Sequence, residues 1–190
     1  MKIIFAGKYC YKLPAEKFNS YQCISIDEFE DYLDYLKPND IVISYGYGKI
    51  FKNDALKNKI FNIHPSVLPY GRGIYPILWS IYNNHPIGYT IYQINSNRID
   101  EGLVYSSKKI KYNLDESFRE LFNKITKDAE KDFILNYENY FNNPSELEVK
   151  DEKNEYYRSK KDSNAILECL KNGWDTKIKD FLFLSKNKKI

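Results

Sequence analysis

Ile60-Phe61-Asn62-Ile63-His64-Pro65-Ser66 is the stretch that decides how this chain is read. On an extended backbone, residues two apart share a face, so Asn62 and His64 project together while Phe61 and Ile63 turn to the core. Pro65 has no N–H to give to a β-ladder and stops the strand. The polar pair therefore stands at the strand's carboxyl end, the edge at which ligands bind in open α/β sheets.

Toward the N-terminus, Ile41-Val42-Ile43 reads as another buried strand, closed by Ser44-Tyr45-Gly46-Tyr47-Gly48. Ile3-Ile4-Phe5-Ala6, ending at Gly7, reads as a third. Residues 21–26 alternate weakly and suggest a further strand. Asp27 with Glu30 forms a capping box for a helix whose apolar stripe is Phe29, Tyr32, Leu33 and Leu36. Asn53 or Asp54 opens a short helix. Toward the C-terminus, two prolines and two glycines make residues 65–73 a loop, and residues 74–83 follow as a helix carrying Trp79. Residues 88–94 and 103–110 read as strands joined by a loop over 95–102. Asn113 with Glu116 is expected to start a long helix burying Phe118, Leu121, Phe122, Ile125 and Ala129, broken at Asn142-Asn143-Pro144. A helix near Asp162 and a last one capped by Asp175 complete the chain. Strands alternating with helices through the first half imply βαβ units and a mostly parallel sheet with helices on both faces. The expected organisation is a catalytic domain over 1–141 and a helical C-terminal extension over 142–190 packed on it, with 149–161 as the one hinge candidate.

The balance of 29 basic against 26 acidic side chains, a net charge of +3, is too mixed to argue for nucleic acid. With 18 Tyr and 11 Phe, aromatic packing is expected to dominate the core. Cys10, Cys23 and Cys169 are odd in number and match no metal spacing, so no metal is expected and a reduced, cytoplasmic setting fits. No apolar run is long enough for a signal peptide or a membrane span. The aromatic-rich surface allows a homodimer.

An imidazole suits proton transfer near neutral pH, and an amide N–H suits a developing oxyanion. Asp100, on a loop between Ile99 and Gly102, is placed to orient the imidazole. Amide, imidazole and carboxylate together suit attack of an external amine on an acyl carbon, since no Ser or Cys sits in a nucleophile elbow. A histidine before proline also serves structural roles, and spacing alone does not bring Asp100 to His64.

The block Asn62-Ile63-His64-Pro65-Ser66-Val67-Leu68-Pro69-Tyr70-Gly71-Arg72-Gly73 resembles the signature of the folate-dependent formyltransferase family. A second block, Gly88-Tyr89-Thr90 through Ile99-Asp100-Glu101-Gly102, resembles that family's second motif in order and spacing. The resemblance implies a Rossmann-like domain, N10-formyltetrahydrofolate as the formyl donor, and Asn62, His64 and Asp100 as the catalytic triad. It also implies a folate pocket lined by the loops at 44–50 and 95–102, largely through backbone groups, which names Tyr45, Gly46, Lys49, Ile50, Asn97 and Ile99. Arg72 is the candidate for an anionic substrate group, with a loop-stabilising role as the alternative. Tyr70 and Tyr75 are candidates for stacking on a base or sugar, with core or rim packing as the alternative. Arg98 is expected to be an ion-pair partner beside Asp100.

Within the family, Ser44-Tyr45-Gly46-Tyr47-Gly48-Lys49-Ile50 and the run from Leu68 to Trp79 look most like nucleotide-sugar N-formyltransferases. The expected substrate is thus a dideoxy-amino sugar linked to a nucleoside diphosphate. A formyl-tetrahydrofolate hydrolase, or a relic of the fold acting as a binding protein, is the alternative. The chain departs from the family at the front, where about one βα unit is expected to be missing between the first strand and Ile41; the resemblance implies that this half helps bind the acceptor.

Overall fold

The computed structural model describes residues 2–13, 15–18, 22–26, 36–48, 51 and 58–188. The helices expected at Asp27 and at Asn53 or Asp54 lie outside the described residues, as do Lys49 and Ile50. Among the described residues a seven-stranded sheet runs in the order β2-β1-β3-β4-β6-β7-β8. Its members are β1 (Lys2–Ala6), β2 (Gln22–Ile26), β3 (Ile41–Ser44), β4 (Ile60–His64), β6 (Gly88–Ile94), β7 (Gly102–Lys109) and β8 (Glu148–Val149). β5 (Arg72–Gly73) and β9 (Tyr157–Arg158) pair in a separate two-stranded ladder. The helices are α1 (Pro76–Tyr82), α2 (Phe118–Asn142), α3 (Asn164–Leu167) and α4 (Ile178–Lys188).

β1 pairs in parallel with β2 and β3, and β3 in parallel with β4, with Ser44 opposite Asn62. This is the mostly parallel α/β arrangement expected from alternating elements. Parallel strands are covered on both faces, which is why β1, β3 and β4 are nearly continuous apolar runs. Ile3, Ile4, Val42, Ile43 and Ile60 are fully buried. β6 and β7 run antiparallel: Gly88 lies against the Lys108 carbonyl, and Gly102 lies against that of Gln93. A Cβ at Gly102 would come within 2.0 Å of the Gln93 oxygen, so only glycine lets the two strands meet where the preceding loop enters β7.

The chain forms two compact units. Unit 1 comprises Met1–His64, Ile91–Ser106 and Glu130–Glu148. Its core is aromatic as expected: Phe18 meets Phe5 at 5.4 Å between centroids and Tyr137 at 4.7 Å, and Phe61 meets Tyr105 at 5.2 Å. Unit 2 comprises Pro65–Thr90, Ser107–Ala129 and Val149–Ile190. Within it α1 packs on α4, Phe118 meets Phe181 edge-on at 4.9 Å, and the Trp79 indole N–H donates to Ser163 Oγ at 3.0 Å. Residues 149–190 fall in the same unit as 65–90 and 107–129.

Two helix starts differ from expectation. Asn113 Oδ1 accepts from the Asp115 N–H at 3.0 Å, a local turn, and the helix begins later. Ser117 and Glu120 cap α2 reciprocally: the Glu120 N–H donates to Ser117 Oγ at 3.2 Å, and the Ser117 N–H to Glu120 Oε2 at 2.7 Å. Asp175 sits in a short 3₁₀ turn paired with Arg119, and α4 starts three residues after it. Among the described residues no helix is long and apolar enough to cross a membrane. Cys10 and Cys169 are buried free thiols, and burial pushes the Cys10 thiol up to about 12.

Candidate active site

Unit 1 gathers the three residues singled out from the sequence. β4 ends at His64, and its alternation leaves Asn62 half-buried while Phe61 and Ile63 are 2% exposed. Asp100 arrives from the loop between β6 and β7 with φ of 52°, a left-handed conformation that aspartate tolerates better than most residues. That turn aims its carboxylate back at the sheet. His64 Nδ1 lies 3.8 Å from Asp100 Oδ1, and the two side chains are 7% and 11% exposed. This separation is longer than an N–H···O hydrogen bond of roughly 2.7–3.2 Å. It is short enough for charge on the ring to be balanced by the carboxylate.

The group that joins them is Tyr92, which the sequence reading did not single out. The Asn62 Nδ2 amide donates to the Tyr92 hydroxyl at 2.9 Å, and that hydroxyl donates to Asp100 Oδ1 at 2.9 Å. Tyr92 is 1% exposed. The signal was present in the sequence: period two along β6 puts Thr90, Tyr92 and Ile94 on one face. Thr90 belonged to the recognised motif, so Tyr92 shares its direction and falls opposite the end of β4.

The residues expected around a folate divide sharply. The Tyr45 hydroxyl donates to Glu130 Oε1 at 2.7 Å, its N–H donates to the Ala6 carbonyl and its carbonyl accepts from Tyr9. With the side chain 1% exposed, Tyr45 is held firmly just after β3. Gly46 has φ of 71°, and a Cβ there would run into the Tyr9 ring at 2.3 Å. Asn97 is exposed and Ile99 half-buried on the loop before β7. At the head of that loop, Asn95 Nδ2 donates to Glu148 Oε1 at 2.8 Å, which fixes the amide and leaves its Oδ1 buried with no hydrogen-bond partner. Tyr47 stacks on Phe51 at 4.7 Å between centroids, both half-buried against the core formed by Ile4, Ala6, Val42 and Ile60. Arg98 pairs with Glu101 at 3.4 Å.

Unit 2 holds the other candidates. Arg72 is 1% exposed, and its Nη1 donates to Asp151 Oδ2 at 2.8 Å and to Asn154 Oδ1 at 3.2 Å. A guanidinium so enclosed pins β5 to the segment before β9, the loop-stabilising role that stood beside the substrate anion in the sequence. Burial alone would raise the Asp151 carboxyl, but the Tyr156 and Glu155 N–H groups and the Arg72 guanidinium hold it below its ordinary range. Tyr70 packs on His85 at 4.5 Å and on Tyr156 at 4.9 Å. Burial and the Arg158 charge lower the His85 pKa. Tyr75, the left-handed residue ahead of α1, lies 6.1 Å from Trp174. Thr90 closes the loop after β4 by donating to the Ser66 carbonyl at 2.8 Å and accepting from the Leu68 N–H at 3.0 Å.

An amide, an imidazole and a carboxylate thus gather at one strand end of a mostly parallel α/β sheet, the edge at which sheets of this class bind ligands. The chain belongs to the formyl transferase family, whose model matches residues 13–136. It is 33% identical over 129 residues to a methionyl-tRNA formyltransferase of Finegoldia magna, a match covering 65% of this chain and 41% of that protein. It is 37% identical over 99 residues to the bifunctional polymyxin resistance protein ArnA of Wigglesworthia glossinidia brevipalpis, covering 50% of this chain and 15% of that one. The chain thus spans less than half the length of these relatives. Among solved structures it is similar to the formyltransferase PseJ of Anoxybacillus kamchatkensis, with a TM-score of 0.75 and 25% identity over 95% of this chain and 97% of that one. That structure holds UDP-4,6-dideoxy-4-formamido-L-AltNAc and tetrahydrofolate.

Proposed function

We propose that this chain transfers a formyl group from N10-formyltetrahydrofolate to the amino group of a nucleotide-linked dideoxy-amino sugar. The observation that carries this reading is the convergence of Asn62, His64 and Asp100 on one strand end, bridged by the Tyr92 hydroxyl. The similarity to PseJ, which extends over nearly the whole of both chains, favours the sugar acceptor.

The reduced folate, when bound, supplies the formyl carbon as an electrophile. Its fit rests on Asn95, whose pinned amide leaves a buried acceptor oxygen free for the N–H groups of a pterin, and on the backbone of the loop carrying Asn97 and Ile99. The chain's own groups do the rest. Asn62 directs an amide N–H to the negative charge that grows on the formyl oxygen as the amine attacks. As the amine's bond to the formyl carbon forms and that carbon's bond to the folate N10 breaks, His64 takes the proton the amine releases and gives it to the departing nitrogen. Asp100 faces the ring and balances the positive charge it acquires.

The sequence relatives favour a second acceptor, since the Finegoldia magna protein is a methionyl-tRNA formyltransferase. One experiment separates the readings. The protein is incubated with N10-formyltetrahydrofolate and a panel of UDP- and dTDP-linked amino sugars, with methionyl-tRNA in parallel, and products are weighed by mass spectrometry. A formyl adduct on an amino sugar supports the proposal, and one on the tRNA alone replaces the acceptor. Folate breakdown with no adduct indicates a hydrolase. Neither adduct nor breakdown overturns the enzymatic reading.

A further inference from the structure

We infer that Tyr92 is a positioning residue that sets which end of the Asn62 amide faces the reacting centre, an inference whose catalytic consequence rests on the formyl-transfer reading. An ionised carboxylate can only accept hydrogen bonds, and a phenol has one proton to give. At 2.9 Å from Asp100 Oδ1, the Tyr92 hydroxyl commits that proton to the carboxylate. Toward Asn62 it then presents a lone pair, so the group that meets it at 2.9 Å is the amide nitrogen and not the amide oxygen. The negative charge on Asp100 fixes the polarity of the phenol, and the phenol fixes the flip of the amide.

Tyr92, the centre of the relay, is only 1% exposed, so water has little access to its hydroxyl, while Asn62 and Asp100 are half-buried on either side. The amide plane is held by one N–H, which gives the second N–H a defined direction. A flipped amide would turn its oxygen toward a developing negative charge and oppose the reaction. Asp100 thereby has two tasks carried by one oxygen atom: it faces the His64 ring, and through Tyr92 it orients the oxyanion donor.

Tyr92→Phe tests this. It keeps the ring and removes the relay, so kcat is expected to fall roughly 10-fold, less than the ~10²–10³-fold loss on removing an oxyanion donor outright, because the amide remains. KM for the formyl donor should change less than about twofold, as expected when only the transition state loses an interaction. In an Asp100→Asn background, the further loss from Tyr92→Phe should be under about twofold, because the phenol's polarity is no longer set by a charge. Equal losses in both backgrounds, or wild-type kcat in Tyr92→Phe, would overturn the inference.

A second measurement does not depend on turnover. The Asn62 side-chain amide signals in a ¹⁵N–¹H spectrum, assigned by their loss in Asn62→Ser, should move in Tyr92→Phe and also in Asp100→Asn. If both variants leave them in place, the relay does not exist, whatever the activity. If they move but the wild-type protein formylates no acceptor, the functional reading falls and the relay stands.

Discussion

Two carboxylates, one in each unit, anchor polar clusters whose partners differ in kind. Asp151 is surrounded by groups that keep their protons across the physiological range: the Arg72 guanidinium and the N–H groups of Glu155 and Tyr156. Asp100 faces a phenol and an imidazole, both of which exchange protons. The first arrangement is closed and rigid, with a guanidinium 1% exposed and a carboxylate 4% exposed. The second leaves 3.8 Å between ring and carboxylate, a gap that a small side-chain movement closes. Buried charge therefore does not by itself mark a functional site in this chain. The chemistry of the partners does, and it separates a clamp from a site suited to moving protons.

The largest expected effect breaks the clamp. Arg72→Ala leaves Asp151 buried without its guanidinium, a loss of about 3–5 kcal/mol of stability by analogy with other broken buried pairs. Urea unfolding measures it directly; a change below about 1 kcal/mol would return Arg72 to the ligand-facing residues. The site should answer in the opposite currency. His64→Ala and Asp100→Ala should each lower turnover by about 10²-fold or more, and Asn62→Ala by about 10²–10³-fold. Formyl-transfer rates at saturating substrates, set beside melting curves, check both halves. Near-normal turnover in any of these three would remove that residue from the mechanism.

Acid should distinguish the clusters too. The folded-state pKa of Asp151 lies below its unfolded value of 3.8, because its two peptide N–H groups and Arg72 outweigh the opposing effect of burial. A group shifted in this direction contributes stability above the unfolded pKa and loses it as pH falls through the folded one. The unfolding midpoint should therefore drop on acidification below about pH 4. Asp151→Asn should flatten that part of the curve, and an unchanged slope would show that the clamp is not what acid releases.

How much of this was legible in the sequence depends on the range of the interactions involved. β4 and β6 were readable because alternation and Pro65 are local, and β6 was bounded correctly at Gly88 and Ile94. The Asn62–His64 pair followed from period two alone. Asp100 was placed on a loop by spacing, but its approach to His64 depends on a left-handed turn that no pattern announces. The partner of Arg72, Asp151, is 79 residues away in a segment that read only as a polar hinge, so spacing could not choose between a substrate anion and a loop-stabilising role. The bond from Tyr45 to Glu130 was beyond local pattern for the same reason. Tyr92 was missed for a different reason: a tyrosine in an aromatic-rich chain looks like core, and its hydroxyl gains meaning only once β4 and β6 are neighbours.

The smallest expected effect sharpens the comparison from the scaffold side. The sequence offered Asn113 with Glu116 as the start of α2, whereas the capping box is Ser117 with Glu120. Both pairs have the same spacing, so local pattern could not choose between them. What separates them is burial: Ser117 is 8% exposed and bridges to Lys177, whereas Asn113 is exposed in its turn. Ser117→Ala removes the acceptor for the Glu120 N–H and should cost about 1 kcal/mol, the ordinary value for a lost N-cap. Asn113→Ala should cost less. Neither should change formyl turnover measured below the melting transition, since unit 2's helix cap shares no hydrogen bond with Asn62, Tyr92 or Asp100. A larger loss at Asn113 would move the helix start back to where the sequence pattern first suggested it. A loss of turnover in Ser117→Ala would show that helix cap and site are not separable in this chain.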